Sequence, residues 1–157
     1  RLDLVEPLRE LAISGKPTVG ICLGMQLLMD ESLEFGRHEG LGVVSGRVVP
    51  LWGNVPEGVK VPHTAWTGIS PELQEGEQRD WTGTPLEGLP SGAHMYFVHS
   101  YRVVPEDSEV ILSTSVYGGL HFCSSLRSKN VFGAQYHPER SGRDGLHIYE
   151  QIRLLSD

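Results

Sequence analysis

Residues 18–26, Thr-Val-Gly-Ile-Cys-Leu-Gly-Met-Gln, constrain the fold of this chain more than any other stretch. A short apolar run ends in a cysteine between Gly20 and Gly24, and Leu23, Leu27, Leu28 and Met29 continue with the pattern of a helix. Glycines at these positions let a strand turn sharply into a helix, so that Cys22 stands at a strained elbow as a nucleophile does. The free N–H groups and positive end of the following helix favour thiolate over thiol. A cysteine that only packs needs no glycine at minus two and plus two. The spacing therefore points to a nucleophile.

The rest of the chain is consistent with a sheet built around that elbow. Leu4, Leu8, Leu11 and Ala12 repeat at helical spacing and Gly15 supplies a stop, so helix, turn, strand and helix alternate as in a parallel α/β sheet. Residues 43–44 and 47–51 read as strand, and 59–66 as an extended piece that Pro62 moves to an edge or a turn. Residues 68–92 are polar and rich in Gly and Pro; they read as surface connections with a short helix near Pro85 to Leu89. Residues 94–104 form one strong strand pattern, and 110–116 and 120–126 flank Tyr117-Gly118-Gly119 as a hairpin. A last strand over 131–136 runs into His137-Pro138-Glu139, after which Ser141 reads as the N-cap of a helix carrying Leu146, Tyr149, Ile152 and Leu155. The expected fold is α/β, a mostly parallel central sheet flanked by helices with an antiparallel hairpin extension, in one domain over residues 1–157.

Composition removes several classes. A net charge of −7 with no basic run argues against a nucleic-acid partner. Cys22 and Cys123 lie far apart with no C-x-x-C spacing, which argues against zinc and disulfides and suits a reducing cytoplasm. No apolar run approaches membrane-spanning length, so no membrane role is expected. His63, His94, His99, His121 and His147 show no metal-ligand spacing, and neither a metal nor another cofactor is expected. Cys123, in a hairpin strand, reads as packing. The sequence opens inside a helical pattern at Arg1, and it is read as part of a longer gene product.

A thiol nucleophile needs a base, and the base needs an orienting partner. His137 follows a strand, where α/β folds place functional groups, and Glu139 stands two residues on, on the same side of an extended segment. Gly20-Ile-Cys-Leu-Gly-Met-Gln26 together with Gln135-Tyr-His-Pro-Glu139 resembles the class I (triad) glutamine amidotransferases. Four further stretches, Glu39 to Val49, Val61 to Trp66, Tyr96 to Tyr101 and Asn130 to Gln135, are similar to the branch that forms the glutaminase subunit of imidazole glycerol phosphate synthase.

The resemblance implies a flavodoxin-like amidotransferase fold and a Cys22–His137–Glu139 triad that hydrolyses glutamine through a γ-glutamyl thioester. It also implies that Gln26, Ser100 and Tyr101 hold the amino-acid end of glutamine, although a helix-surface position and ordinary strand positions describe the same residues. The ammonia would pass to a (β/α)₈-barrel synthase partner in histidine biosynthesis, met by Pro62, His63, Trp66 and Tyr96; for Trp66 a buried packing role is the other reading. Ala65 and Thr67 stand where the pattern has glycine and asparagine, which keeps open a relative that feeds ammonia to a surface-sugar precursor. Family members begin with two further strand–helix units, one supplying part of an oxyanion hole. Their absence from this sequence implies impaired activity, or a docking module without catalysis.

Overall fold

The computed structural model describes residues 3–71 and 80–156. Helix α1 (Val5–Ile13) leads into β1 (Thr18–Ile21) and the five-residue helix α2 (Leu23–Leu27). Two short strands, β2 (Glu31–Ser32) and β3 (His38–Glu39), precede β4 (Gly46–Pro50) and β5 (His63–Pro71). The chain continues through β6 (Ala93–His99), β7 (Tyr101–Pro105), β8 (Ile111–Tyr117), β9 (Leu120–Ser128) and β10 (Val131–Ala134) to α3 (Gly142–Ser156). The strands form a six-stranded sheet in the order β1-β10-β9-β8-β5-β6 and a four-stranded sheet in the order β3-β2-β4-β7.

The α/β architecture expected from the sequence is present, but the central sheet is mixed rather than mostly parallel, its one parallel pair among the described residues joining the strands that carry Cys22 and lead to His137. β1 runs parallel to β10, with Thr18 opposite Val131 and Ile21 opposite Ala134. β2 is parallel to β4, and the remaining described pairs are antiparallel. The hairpin expected around Gly118-Gly119 is β8–β9. Three local readings change. The pattern over 94–104 is two strands, because at Ser100 the chain leaves one sheet for the other. Residues 43–44 lie outside any strand, their N–H groups both going to the Leu28 carbonyl. Between 68 and 92, β5 extends to Pro71, Pro85 to Leu89 forms turns, and Trp81 and Leu86 are buried core rather than surface; residues 72–79 of that stretch lie outside the described residues.

Two cores flank the sheet that carries β10. Phe132, Ala134 and Tyr136 alternate into one with Phe97, Phe122 and Ile148; Val131 faces the other with Met25, Leu28 and Met29. Gly133 faces α2, and a Cβ there would come within 2.8 Å of Met25 Cγ. Its missing side chain lets α2 lie flat on β10. The same periodicity sends Gln135 to the α2 side, where its amide meets Cys22, the residue that opens the helix.

Candidate active site

Cys22 is the residue between β1 and α2. Its backbone adopts φ 52° and ψ −105°, outside the regions where an L-residue is comfortable, and its N–H donates to the Ala134 carbonyl at 2.7 Å. That bond ties the elbow to the end of β10, so Cys22 and the segment after Ala134 emerge side by side from adjacent parallel strands. Gly20 is required for it, since a Cβ would lie 2.7 Å from the carbonyl group of Gly24. Gly24 has no such constraint: a Cβ there meets nothing within 4 Å and would project into open space.

The half-buried thiol donates to the Val98 carbonyl at 3.8 Å and accepts from Gln135 Nε2 at 3.6 Å. Burial pushes its pKa above the ordinary thiol value; the Leu23 N–H and the Gln135 amide pull it down, while Glu139 and Glu34 add to the rise. Desolvation thus outweighs the helix terminus that the sequence suggested would favour thiolate.

His137 follows the strand and is fixed at both ends. Its N–H donates to the Tyr96 carbonyl at 2.9 Å, and its own carbonyl accepts from Ser141 Oγ at 2.6 Å. Ser141 Oγ also accepts from Tyr96 N at 3.0 Å, so this residue staples the turn to β6 instead of capping α3 with its hydroxyl. The imidazole Nδ1 lies 2.7 Å from Glu139 Oε1, which makes Nδ1 the protonated nitrogen. Nε2 is buried and has no hydrogen-bond partner among the described residues. Tyr149 on α3 bonds Glu139 from the other side, and its hydroxyl pKa is raised by burial and by that carboxylate. An imidazole with one nitrogen clamped to a carboxylate and the other unengaged is a proton acceptor awaiting a donor.

The residues expected to hold a substrate divide. Gln26 is buried, and its Nε2 donates to the Tyr101 carbonyl at 3.1 Å and to Gln135 Oε1 at 3.2 Å. Tyr101 points into the core because β7 alternates inward at that position; its ring packs edge-on to Trp52, and it reaches the site through its carbonyl alone. Ser100, half-buried at the switch between sheets, lends its carbonyl to Leu51 N.

The residues expected at a partner face divide as well. Trp66 is 53% exposed and meets Tyr96 edge to face at 6.0 Å, while the Arg140 guanidinium lies over the Tyr96 ring at 4.6 Å. Pro62 is exposed. His63 is fully buried, because β5 alternates and its ring stacks on Phe97 and Tyr117, so its side chain cannot meet a partner at this surface. It bonds His99 instead, Nδ1 to Nε2 at 3.0 Å, and Thr67 Oγ1 at 2.8 Å. Sequence reasoning assigned nothing to His99, Gln135, Ser141 or Tyr149 beyond pattern. A glutamine and a histidine at inward positions of apolar strands were the available signal.

Among the described residues no group of three or more His, Cys, Asp or Glu is arranged to hold a metal, and no helix is long and apolar enough to cross a membrane. Cys123 is a buried core residue.

Residues 2–152 match the family model for glutamine amidotransferase class-I. Imidazole glycerol phosphate synthase subunit HisH of Aquifex aeolicus (strain VF5) is 45% identical over 156 residues, which cover 99% of this chain and 69% of that protein. Its counterpart HisH 1 of Legionella pneumophila (strain Lens) is 39% identical over 153 residues, covering 96% of this chain and 70% of that protein. A crystal structure of a putative GMP synthase component from Thermoplasma acidophilum aligns with a TM-score of 0.63 at 18% identity, over 98% of this chain and 64% of that one. Another, of a glutamine amidotransferase, aligns with a TM-score of 0.61 at 19% identity, over 98% and 68%. At these identities the two structures speak for the fold alone.

Proposed function

The chain belongs to the glutamine amidotransferase class-I family, and we propose that within it the chain is the glutaminase subunit of an imidazole glycerol phosphate synthase. Relatives carrying that name align with nearly the whole chain at 39–45% identity. The observation that carries the chemistry is the His137–Glu139 pair at 2.7 Å, with His137 Nε2 buried and unengaged, just past the end of the strand that pairs with the one leading to the Cys22 elbow.

The reaction follows from those groups. His137 Nε2 takes the proton of Cys22, and the sulfur attacks the side-chain amide carbon of glutamine. The proton then passes from His137 to the amide nitrogen, the C–N bond breaks, and ammonia leaves behind a γ-glutamyl thioester. Water, relieved of a proton by His137, attacks the thioester and returns glutamate and the Cys22 thiol. Glu139 holds the Nδ1 proton throughout and so fixes the tautomer. Gln26 commits its nitrogen to the scaffold, leaving Oε1 to accept from the ammonium of the substrate, and Ser100, which precedes the Tyr101 that anchors Gln26, completes the proposed substrate site.

The synthase partner that receives the ammonia is, in this reading, a (β/α)₈ barrel. The exposed Trp66, with Tyr96 and Arg140, makes an aromatic and cationic patch on β5 and β6 that suits a protein interface. The setting is the cytoplasm, in histidine biosynthesis. Ammonia release from glutamine, followed with and without the barrel protein and in Cys22→Ala, tests this reading. Turnover that requires Cys22 and rises with the partner supports it; turnover retained in Cys22→Ala contradicts it.

A further inference from the structure

A buried amide pair lies beneath the nucleophile. We propose that Gln135 is the hydrogen-bond donor that stabilises the Cys22 sulfur as an anion, and that Gln26, anchored on the Tyr101 carbonyl, is the clamp that keeps the Gln135 amide in its donating orientation. The proposal rests on the reading of Cys22 as nucleophile and adds to it two residues with stated tasks.

The orientation of both amides follows from one group that can only accept. The Tyr101 carbonyl lies 3.1 Å from Gln26, so Gln26 must present its nitrogen there. That same nitrogen lies 3.2 Å from the Gln135 side chain, which must therefore offer oxygen to it. With its oxygen so engaged, Gln135 turns its NH2 toward Cys22 Sγ, 3.6 Å away. The Tyr101 carbonyl is itself held, since His99 Nδ1 donates to it at 2.7 Å. His99 Nε2 is then an acceptor, His63 Nδ1 donates to it, and His63 Nε2 accepts from Thr67 Oγ1. A single chain of hydrogen bonds links Thr67 to the sulfur, its directions set outward on both sides from the Tyr101 carbonyl. The Thr67 hydroxyl that begins it stands at one of the two positions departing from the family pattern.

An N–H donor favours the charged form of the group that accepts it. Gln135 is fully buried, so water cannot replace it readily at the sulfur. The carboxylates that bear on Cys22, Glu139 and Glu34, work against the anion, and His137 is the base that the proposed reaction sets against it. The thiol's proton goes to the Val98 carbonyl, which can accept but cannot stabilise a thiolate. Among the described side chains, Gln135 is the donor in place.

The test reads the thiol without glutamine: alkylation of Cys22 by iodoacetamide as a function of pH, followed on the Cys22 peptide by mass spectrometry. In Gln135→Met the profile moves to higher pH, and alkylation at pH 7 falls about tenfold. In Gln26→Met it moves the same way by less. The Gln135→Met enzyme loses kcat while its KM for glutamine stays near the wild-type value. An unmoved profile in a natively folded Gln135→Met chain overturns the proposal, as does a rise in KM with kcat unchanged. Should Gln135→Met fail to fold, Gln26→Met, which frees the Gln135 amide without placing a charge beside the sulfur, must show the upward shift; no shift there overturns the proposal equally. Because alkylation does not depend on turnover, a wild-type chain that alkylates but does not hydrolyse glutamine faults the functional reading and not this one.

Discussion

His63 and His99 face each other nitrogen to nitrogen at 3.0 Å inside the β5–β6 pair, directly opposite in register. Burial lowers the pKa of each from 6.5 to about 4; the Tyr101 carbonyl partly opposes this for His99, and the neighbouring His63 and His137 add to it. The unfolded chain therefore takes up protons on these rings below pH 6.5 while the native chain does not until about pH 4. Native stability contributed by the neutral rings is complete above pH 6.5 and is lost as pH falls toward 4, by up to roughly 3 kcal/mol for each ring. Urea midpoints measured across that window should fall with pH, and His99→Gln should flatten the decline. A midpoint independent of pH down to 4.5 would contradict the buried neutral pair.

Gly20 and Gly24 look equivalent in the sequence and are not. A methyl group at Gly20 meets Gly24 and Met25 backbone at 2.7–2.8 Å, which neither side can vacate. Gly20→Ala should cost about 3 kcal/mol or prevent folding. Gly24→Ala should leave the melting temperature within a degree or two, with its effect appearing in the KM for glutamine, because the added methyl occupies the open side of the elbow. Thermal unfolding and steady-state kinetics on the two variants check both halves.

Ser141 joins Tyr96 N to the His137 carbonyl through one hydroxyl. Removing it in Ser141→Ala leaves the Tyr96 N–H without its partner, while the His137 carbonyl keeps only Arg140 N, and should cost about 1–3 kcal/mol. The same variant loosens His137, so kcat should fall more than KM rises. Chemical denaturation and kinetics read the two effects separately.

Trp66 is half exposed and belongs to neither core. Trp66→Ala should leave stability nearly unchanged and weaken binding to the synthase partner by tenfold or more, as loss of a central aromatic anchor does. Titration calorimetry with the proposed synthase partner measures it. Unaltered affinity would move the interface away from β5 and β6.

Local patterns carried the elements that place Cys22, His137 and Glu139. The apolar run before Cys22, the Gly118-Gly119 hairpin and the strand ending at His137 each depend on neighbours a few residues away, so period and turn chemistry were enough. What the sequence could not show depends on register between distant strands. His63 meets His99 because β5 and β6 pair with that offset, and Gln26 meets Gln135 because Gly133 lets α2 lie against β10. Read singly, His63 looked like a surface residue, and nothing in the sequence tied the Gln26 amide to Gln135. The break at Ser100 was hidden for a similar reason: residues on both sides have strand character, and only the second sheet reveals that the chain changes partners. Trp81 and Leu86 sat in a stretch whose glycines and prolines outweighed two core residues.

The most direct test of the central claim is mass spectrometry after exposure to a glutamine-analogue alkylator such as diazo-oxo-norleucine. The account predicts a single adduct on Cys22 that excess glutamine prevents, with buried Cys123 unmodified. An adduct on Cys123, or none at all on a chain that is folded by circular dichroism, would contradict it.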